Sequence, residues 1–359
     1  MANASLEICD ETRHTAMQVR RINIDWKPTL PIFASEPFLK SVSDDYGWLG
    51  GISASGELCC VLPFTILRRT GISLARFRVQ TIPIQPEFSP QQERSFLNGV
   101  VTYLREAGTD IIIPATTNAV FRVYPDHADA APYGSYILDL RVPEDDIWRG
   151  ISRIMRQNIR TAQKDGVTIR DAIDRRDSAY ELIRDTFRRS HMAFMRREEF
   201  NRYIDGLGLH AKLLVAEYRG AAQSYVLFAF SQYCAYAIYA GNLEHQHQGA
   251  NKLLYWEAIR DFRNLGVRTY DFVGARINPV KGSKQDSINA LKQRFGARLM
   301  EGYMWKMPLR PVRALAYTLA VRLLKGGDIV DIERHKLGST VAAIPPTNSI
   351  AAAPKSEIR

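Results

Sequence analysis

Two hydrophobic periods alternate along the 359-residue chain, one near 2 and one near 3.6. Two apolar runs in GWLGGISASGELCCVLPFTILRR flank Ser55-Gly56-Glu57, which predicts a β-hairpin. Ser89-Pro90 opens a helix over about 90–107, with Pro at its first position and Gly108 after its end. Asp110–Ile113 predicts a short buried strand closed by Pro114. Residues 115–134 are expected to be irregular, and Tyr136–Leu140 to be a strand. The second half predicts two short helices within 175–206. Three strands follow, Ala211–Tyr218, Ser224–Phe230 and Cys234–Ala240, forming an antiparallel meander. A helix over about 250–264, a strand Val267–Phe272, a helix Gln285–Phe295 and a strand Leu299–Met307 complete the order. The first half repeats it loosely, as hairpin, helix, strand, strand, so a duplicated α+β unit with a mixed sheet is expected. The boundaries expected are a polar lead over 1–20, a first unit over 21–143 and a second over 144–309. A basic amphipathic helix over 310–325 and a flexible tail over 326–359 follow.

The segment 144–165 predicts one amphipathic helix. Arg149, Arg153, Arg156, Arg160 and Lys164 fall on one stripe, and Ile151, Ile154, Met155, Ile159 and Ala162 on the opposite side. The stripe contains no acid, although solvated helix faces usually mix Glu with Lys. It is therefore either a plain solvated face or an anion-binding one. Charge sharpens the question, since 48 basic against 38 acidic residues give a net +10. Other acid-poor groups are Arg68, Arg69, Arg76 and Arg78; then Arg276 to Arg298; then Lys306 to Lys325. Nucleic acid, a phosphate-bearing substrate or an anionic membrane surface would suit such a balance.

Composition excludes several classes. No apolar run approaches the ~20 residues of a membrane-spanning helix, and the first twenty residues hold charges without an apolar block, so no secretory signal is expected. Cys9, Cys59, Cys60 and Cys234 form no CxxC pair and the histidines lack ligand spacing, so no metal is expected. A reduced, cytoplasmic chain follows as the expectation.

The loop Gln246-His247-Gln248-Gly249-Ala250-Asn251 precedes a helix. Its backbone N–H groups are expected to face outward at the positive helix end, where a phosphate or pyrophosphate binds. The other reading is an ordinary Gly-containing loop. The element order is similar to that of a GNAT-type acyltransferase domain. In the GNAT acyl-CoA loop pattern Gln/Arg-x-x-Gly-x-Gly/Ala, Gln246 and Gly249 fit, and Asn251 stands at the last small position.

Three further stretches resemble the Fem aminoacyltransferase family. WRGISRIMRQNIRTAQKDGV (148–167) resembles its Arg-x-x-Ile-Arg-x-Ala-x-Lys-x-Gly-Val helix. LLYWEAIRDFRNLGVRTYDFVGA (253–275) resembles its Leu-x-x-Trp-x-x-Ile…Gly-x-x-x-x-Asp-Phe stretch. ALKQRFGARL (290–299) resembles its Phe-Lys-x-x-Phe-Gly signature, with Leu291 for the first Phe. The resemblance spans about 20–308 and implies tandem GNAT-like domains without the coiled-coil arm of some members.

That resemblance implies transfer of an acyl or aminoacyl group to an amine of a cell-envelope precursor, peptidoglycan or polysaccharide. The co-substrate would be aminoacyl-tRNA or acyl-CoA, with no tightly bound cofactor and no metal. An acyl-CoA-dependent N-acetyltransferase acting on an amino sugar is the alternative. Such chemistry needs a proton acceptor and oxyanion stabilisation. Asp271, at a strand end, is the candidate for orienting or deprotonating the amine, or else a carboxylate that caps a loop. Lys292 and Arg294, on the signature, would face the donor with Gln246, Gln248, Gly249 and Asn251, and Lys292 is a catalytic candidate for contact to tRNA or pyrophosphate or to the developing oxyanion; otherwise Lys292 is a solvent lysine. Arg153, Arg156 and Arg160 would hold substrate phosphates through their guanidinium forks. The first unit is expected to bind without catalysing, since no donor-type loop occurs between 85 and 95. Residues 311–325 are expected either to touch the inner membrane face or to pack on the second unit. A non-catalytic nucleic-acid binder is the third reading. The 149–164 stripe counts against it, having no aromatic after Trp148 for bases to stack on.

Overall fold

The structure, a computed structural model, describes residues 17–69 and 71–342. In the first half, β1 (Gln18–Ile22) pairs antiparallel with β2 (Asp45–Ile52), and helix α1 (Glu36–Val42) lies between them in sequence. β2, β3 (Leu58–Arg69) and β4 (Ile72–Phe77) form an antiparallel meander, and the short β5 (Ile82–Pro83) pairs with β3. Helix α2 (Pro90–Glu106) then leads to β6 (Ile111–Ile112), parallel to β4. The β2–β3 hairpin turns where predicted, with Gly56 at φ +84°, a left-handed position that glycine adopts without strain.

The second half repeats this plan. β8 (Thr168–Asp171) is the edge strand, and α5 (Arg176–Arg188) and α6 (Arg197–Leu207) follow it. β9 (Ala211–Tyr218), β10 (Ala221–Phe230) and β11 (Ala235–Asn242) form the meander. Helix α7 (Ala250–Asn264) leads to β12 (Thr269–Asp271), parallel to β11. β7 (Asp129–Asp139), α8 (Lys284–Arg294) and β13 (Arg298–Pro308) join the halves. β13 pairs along its length with β7 and at its end with β6. All thirteen strands thereby form one mixed sheet, in the order β1-β2-β3-β4-β6-β13-β7-β12-β11-β10-β9-β8, with β5 on β3.

Several expectations are corrected. The lead expected over 1–20 already contains β1 from Gln18; its residues 1–16 lie outside the described ones. β7 begins at Asp129, inside the segment expected to be irregular. Pro132 and Gly134 hid it, being poor strand formers. Gly134 is required there, because a Cβ would sit 2.7 Å from the Met300 carbonyl on β13. The single helix expected over 144–165 is two, α3 (Glu144–Gly150) and α4 (Arg153–Lys164), broken by extended backbone at Ile151 and Ser152. β4 and β8 were not anticipated. The expected flexible tail holds a further helix, α10 (Ile329–Ala342), and residues 343–359 lie outside the described ones. Lys306 pins the α10 start through Asp328 at 2.8 Å and Asp331 at 2.7 Å, and Arg276 reaches Glu333 at 3.3 Å.

Burial explains the layering. Helices α3, α4 and α7 cover one face of the second-half strands through Ile147, Met155, Ile159, Leu254 and Phe262. Helices α5 and α6 cover the other through Ile183, Phe200 and Ile204. A third cluster joins the halves, with Phe33, Phe38 and Trp48 packing with Leu207, Cys234 and Tyr236. Helix α9 (Pro311–Lys325) touches the first half mainly through Ala314 and Tyr317, while Val312, Leu315, Leu319 and Leu323 stay exposed, Leu323 at 86%. Among the described residues no helix is long and apolar enough to cross a membrane.

Candidate active site

The site begins where two parallel strands part. β11 and β12 pair only through Ala235 with Tyr270 and Tyr236 with Asp271. β11 runs on to Asn242, while the chain beyond Asp271 turns away to β7, where Ala275 bridges Gly134. A wedge therefore opens in the sheet at Asp271. A bulge in β11 between its Tyr239 and Ala237 pairings with β10 widens it further.

Asp271 stands at the apex, 4% exposed. Its Oδ1 accepts hydrogen bonds from the Ser135 hydroxyl on β7 and from Val273 N at 2.7 Å. Its Oδ2 makes no hydrogen bond among the described residues. Burial pushes this carboxyl up to about 6, against the opposing pull of Ser135, Val273 and the Lys292 charge. Ser135 in turn accepts from Gly274 N at 3.2 Å.

The turn after Asp271 is conformationally costly. Val273 has φ +52°, rare for a β-branched residue, and Gly274 has φ +70°. A Cβ on Gly274 would lie 2.5 Å from the Tyr133 hydroxyl. Lys292 holds this turn. Its Nζ donates to the Val273 carbonyl at 2.7 Å and to the Gly274 carbonyl, and the side chain is 6% exposed. Burial lowers its ammonium to about 8, with the Asp271 charge pulling the other way. The solvent-lysine reading is thus corrected. Lys292 is buried beside Asp271, clamping the turn that shapes the wedge, with two of its three N–H donors engaged.

The loop before α7 is less open than expected. Gly249 adopts φ +86° and no side chain caps α7. A Cβ on Gly249 would lie 2.3 Å from the Asn158 carbonyl, so α4 presses directly on the helix start. The expected outward-facing N–H cradle is therefore largely roofed. Gln248 Nε2 donates to Asn158 Oδ1 at 3.3 Å, and His247 Nε2 lies 3.1 Å from Asp165. Gln246 Oε1 and Asn251 Oδ1 are buried without hydrogen-bond partners among the described residues. Arg294 is exposed, and its carbonyl accepts from Ser152 N at 2.8 Å.

The basic stripe divides. Arg149 belongs to α3 and pairs with Asp146. Arg156 Nη1 donates to the carbonyls of Trp148 at 3.3 Å, Arg149 at 2.9 Å and Ile151 at 2.9 Å, closing the C-terminus of α3. Arg160 lies over the Trp148 ring at 5.6 Å. Ile154, expected on the apolar side, is 59% exposed. Arg153, Arg156, Arg160 and Lys164 line a shallow depression of ≈390 Å³ on the outer face of α4. That face is opposite the one α4 packs on α7, so the stripe and the wedge are not brought together. Sequence reasoning missed Ser135, Tyr133 and the strained Val273; Gly274 beside Asp271 was the one visible signal.

Residues 150–281, which contain Asp271, the wedge and the α7 loop, match the family model described as acetyltransferase (GNAT) domain. Residues 150–281 thus carry a GNAT-type domain. No curated protein matches it significantly. Among solved structures it is similar to FemX at 13% identity, covering 82% of this chain and 99% of that one, with a TM-score of 0.62. A tandem GNAT protein from the clavulanic acid biosynthesis pathway is 13% identical over 82% of this chain and 98% of its own, with a TM-score of 0.48. L-PGS from Bacillus licheniformis is 10% identical over 78% and 90%, with a TM-score of 0.46. Of these three, FemX superposes closely enough to bear on the fold. The chain thus has a mixed α+β fold similar to that of FemX, with two halves of one plan joined in tandem.

Proposed function

We propose that this GNAT protein transfers an acyl or aminoacyl group to an amine of a cell-envelope precursor, and that Asp271 is its proton acceptor. One observation carries the reading: a buried carboxylate poised near neutrality, with one oxygen free, at the point where the sheet opens. The acceptor nitrogen attacks the donor carbonyl carbon and a C–N bond forms. The C–O bond of an aminoacyl ester, or the C–S bond of a thioester, breaks. Asp271 Oδ2 takes the amine proton and returns it to the leaving oxygen or sulfur. A base with a pKa near the working pH suits both halves of that exchange. Lys292 keeps the 273–274 turn, and so the carboxylate, in place.

The α4 roof favours the aminoacyl donor over acyl-CoA. The Asn158 carbonyl against Gly249 and the Asp165 carboxylate near His247 put negative charge where a pyrophosphate would lie. The same reading gives α9 a place against an anionic inner membrane face. Its exposed Val312, Leu315, Leu319 and Leu323 stand beside Arg310, Arg313 and Arg322, which suits apolar insertion fringed by cations. Titration with charged tRNA, acetyl-CoA and CoA tests the donor. Binding of charged tRNA with weak CoA binding is expected. Tight CoA binding without tRNA binding would select the N-acetyltransferase alternative, and binding of none would remove the transferase reading.

A further inference from the structure

The seam between the halves holds two arginines without an acid. Arg76 lies in β4 and Arg78 one residue beyond its end, and the Thr65 hydroxyl links them, accepting from Arg78 Nε and donating to the Arg76 carbonyl. Arg78 is 7% exposed, and the Arg76 Nε is buried with no hydrogen-bond partner among the described residues. Among the described residues neither guanidinium forms an ion pair. Arg78 Nε donates to Thr65 Oγ1 at 2.9 Å, and no carboxylate acts on either group. Their charged neighbours are each other and Arg69; the other groups acting on them are Tyr317 of α9 and, from the second half, Tyr203 of α6 and Tyr239 of β11. Neither the Tyr203 nor the Tyr239 hydroxyl makes a hydrogen bond among the described residues.

Burying one guanidinium without a counter-charge is unfavourable, and burying two side by side adds their repulsion. Burial lowers both, Arg78 to about 9. Every unengaged group here is a hydrogen-bond donor or can act as one: two planar forks and two phenols. That set complements a tetrahedral oxyanion, because guanidinium forks bind phosphate oxygens bidentately.

The seam also lies on the correct side of the wedge. Tyr236 pairs with Asp271, and Tyr239 follows three residues along the same strand, about 10 Å at strand rise. Because Ile238 is the bulge residue of β11, Tyr239 faces α5 and α6, the side that Tyr236 and its neighbour Asp271 also face.

We propose that Arg76 and Arg78, with Tyr203 and Tyr239, form a phosphoryl-binding subsite that anchors the amine-bearing substrate by a phosphate, at the level of β11 about 10 Å along the strand from the Asp271 pairing. The assignment of that phosphate to the amine-bearing partner rests on the transferase reading; the anion site itself does not. It replaces the α4 stripe as the place for the substrate phosphate.

Thermal unfolding of the full chain, with and without millimolar pyrophosphate or inorganic phosphate, tests it. Pyrophosphate should raise the wild-type midpoint by several degrees, with citrate giving much less. In R76M/R78M the ligand-free midpoint should stay level or rise, because two adjacent charges without a counter-ion, one of them buried, have been removed, and the pyrophosphate response should vanish. A purely structural arginine pair would instead give a lower midpoint. Should the double variant fail to fold, R78K keeps a charge without the fork and should weaken pyrophosphate binding at least tenfold. Asp271→Asn should leave that binding unchanged, which separates this subsite from the catalytic reading. No wild-type response, or an equal response in R76M/R78M, would overturn the site. Loss of charged-tRNA or CoA binding in R76M/R78M would overturn its assignment to the amine-bearing partner and give the phosphate to the donor.

Discussion

The two halves of the sheet are built to one plan and differ at the point where chemistry would occur. In each, a meander is followed by a helix and a strand that returns parallel to the meander's last member. β4 meets β6 through two residue pairs, as β11 meets β12. The register places Ile112 of the first half where Asp271 stands in the second, since Ala75 pairs with Ile112 as Tyr236 pairs with Asp271. The helix starts differ as well. Ser89 and Gln92 form a full capping box on α2, so its first N–H groups have protein partners. Gly249 leaves α7 without a side-chain cap. Side chains also lace the first wedge shut, with Thr116 Oγ1 and Asn118 Nδ2 both donating to the Arg78 carbonyl at 3.0 and 2.8 Å. One duplicated frame thus yields a closed half with a buried arginine, Arg78, and an open half with a buried carboxylate.

The largest expected effect lies at that carboxylate. Asp271→Asn should lower kcat by on the order of 10² to 10⁴, with donor affinity and thermal midpoint nearly unchanged; retained turnover would erase the functional difference between the halves. Lys292→Met should cost roughly tenfold or more in turnover, since a buried charged donor to two carbonyls is worth about 1.5–3 kcal/mol per bond. Limited proteolysis around 273–274 would report the freed turn. If the proteolytic pattern and rate both match wild type, the clamp is incidental.

The pH dependence follows from the same two groups. Turnover should rise with pH through about 6 as Asp271 ionises and decline above about 8 as Lys292 loses its proton. Stability runs differently. Asp271 is raised, so its contribution is complete below the ordinary carboxylate range and is lost as pH rises through about 6. Lys292 is depressed, so its contribution is present above the ordinary lysine range and is lost as pH falls through about 8. In Asp271→Asn the acid limb of the rate profile should disappear.

Smaller effects probe the closed half. Ile112→Asp would place a carboxylate at the position equivalent to Asp271, but without a Ser135-like donor or a lysine clamp. It should destabilise by about 3 kcal/mol and restore no activity to Asp271→Asn. Ser89→Ala should cost about 1 kcal/mol of stability through the lost cap, with turnover intact. A fall in turnover would mean the first helix start also contacts substrate.

Much of this contrast was legible beforehand. The meander, α7, β12 and α8 follow from alternating apolar runs and their Gly stops, and Asp271 was visible as an acid at a strand end. The absence of a donor-type loop between 85 and 95 was visible too, and the α2 capping box is its structural counterpart. What escaped depended on distant packing. Lys292 was a candidate facing the donor, but its engagement with the 273–274 carbonyls was not legible. Arg76 and Arg78 stood out as acid-free, but the burial of the Arg78 side chain and of the Arg76 Nε follows from the closed seam. The α3–α4 break escaped because the apolar period continues through Ile151 while the backbone does not. Arg156 then serves the corner, not a ligand.

The most direct test is transfer itself. Labelled aminoacyl-tRNA, or labelled acetyl-CoA in a parallel arm, would be incubated with phosphorylated amino-sugar and envelope-precursor amines, comparing wild type with Asp271→Asn. The account predicts a labelled amide that forms with the wild type, faster above pH 6 than below it, and at least a hundredfold more slowly with the variant. Equal amide formation by both proteins, or none from either donor, would contradict it.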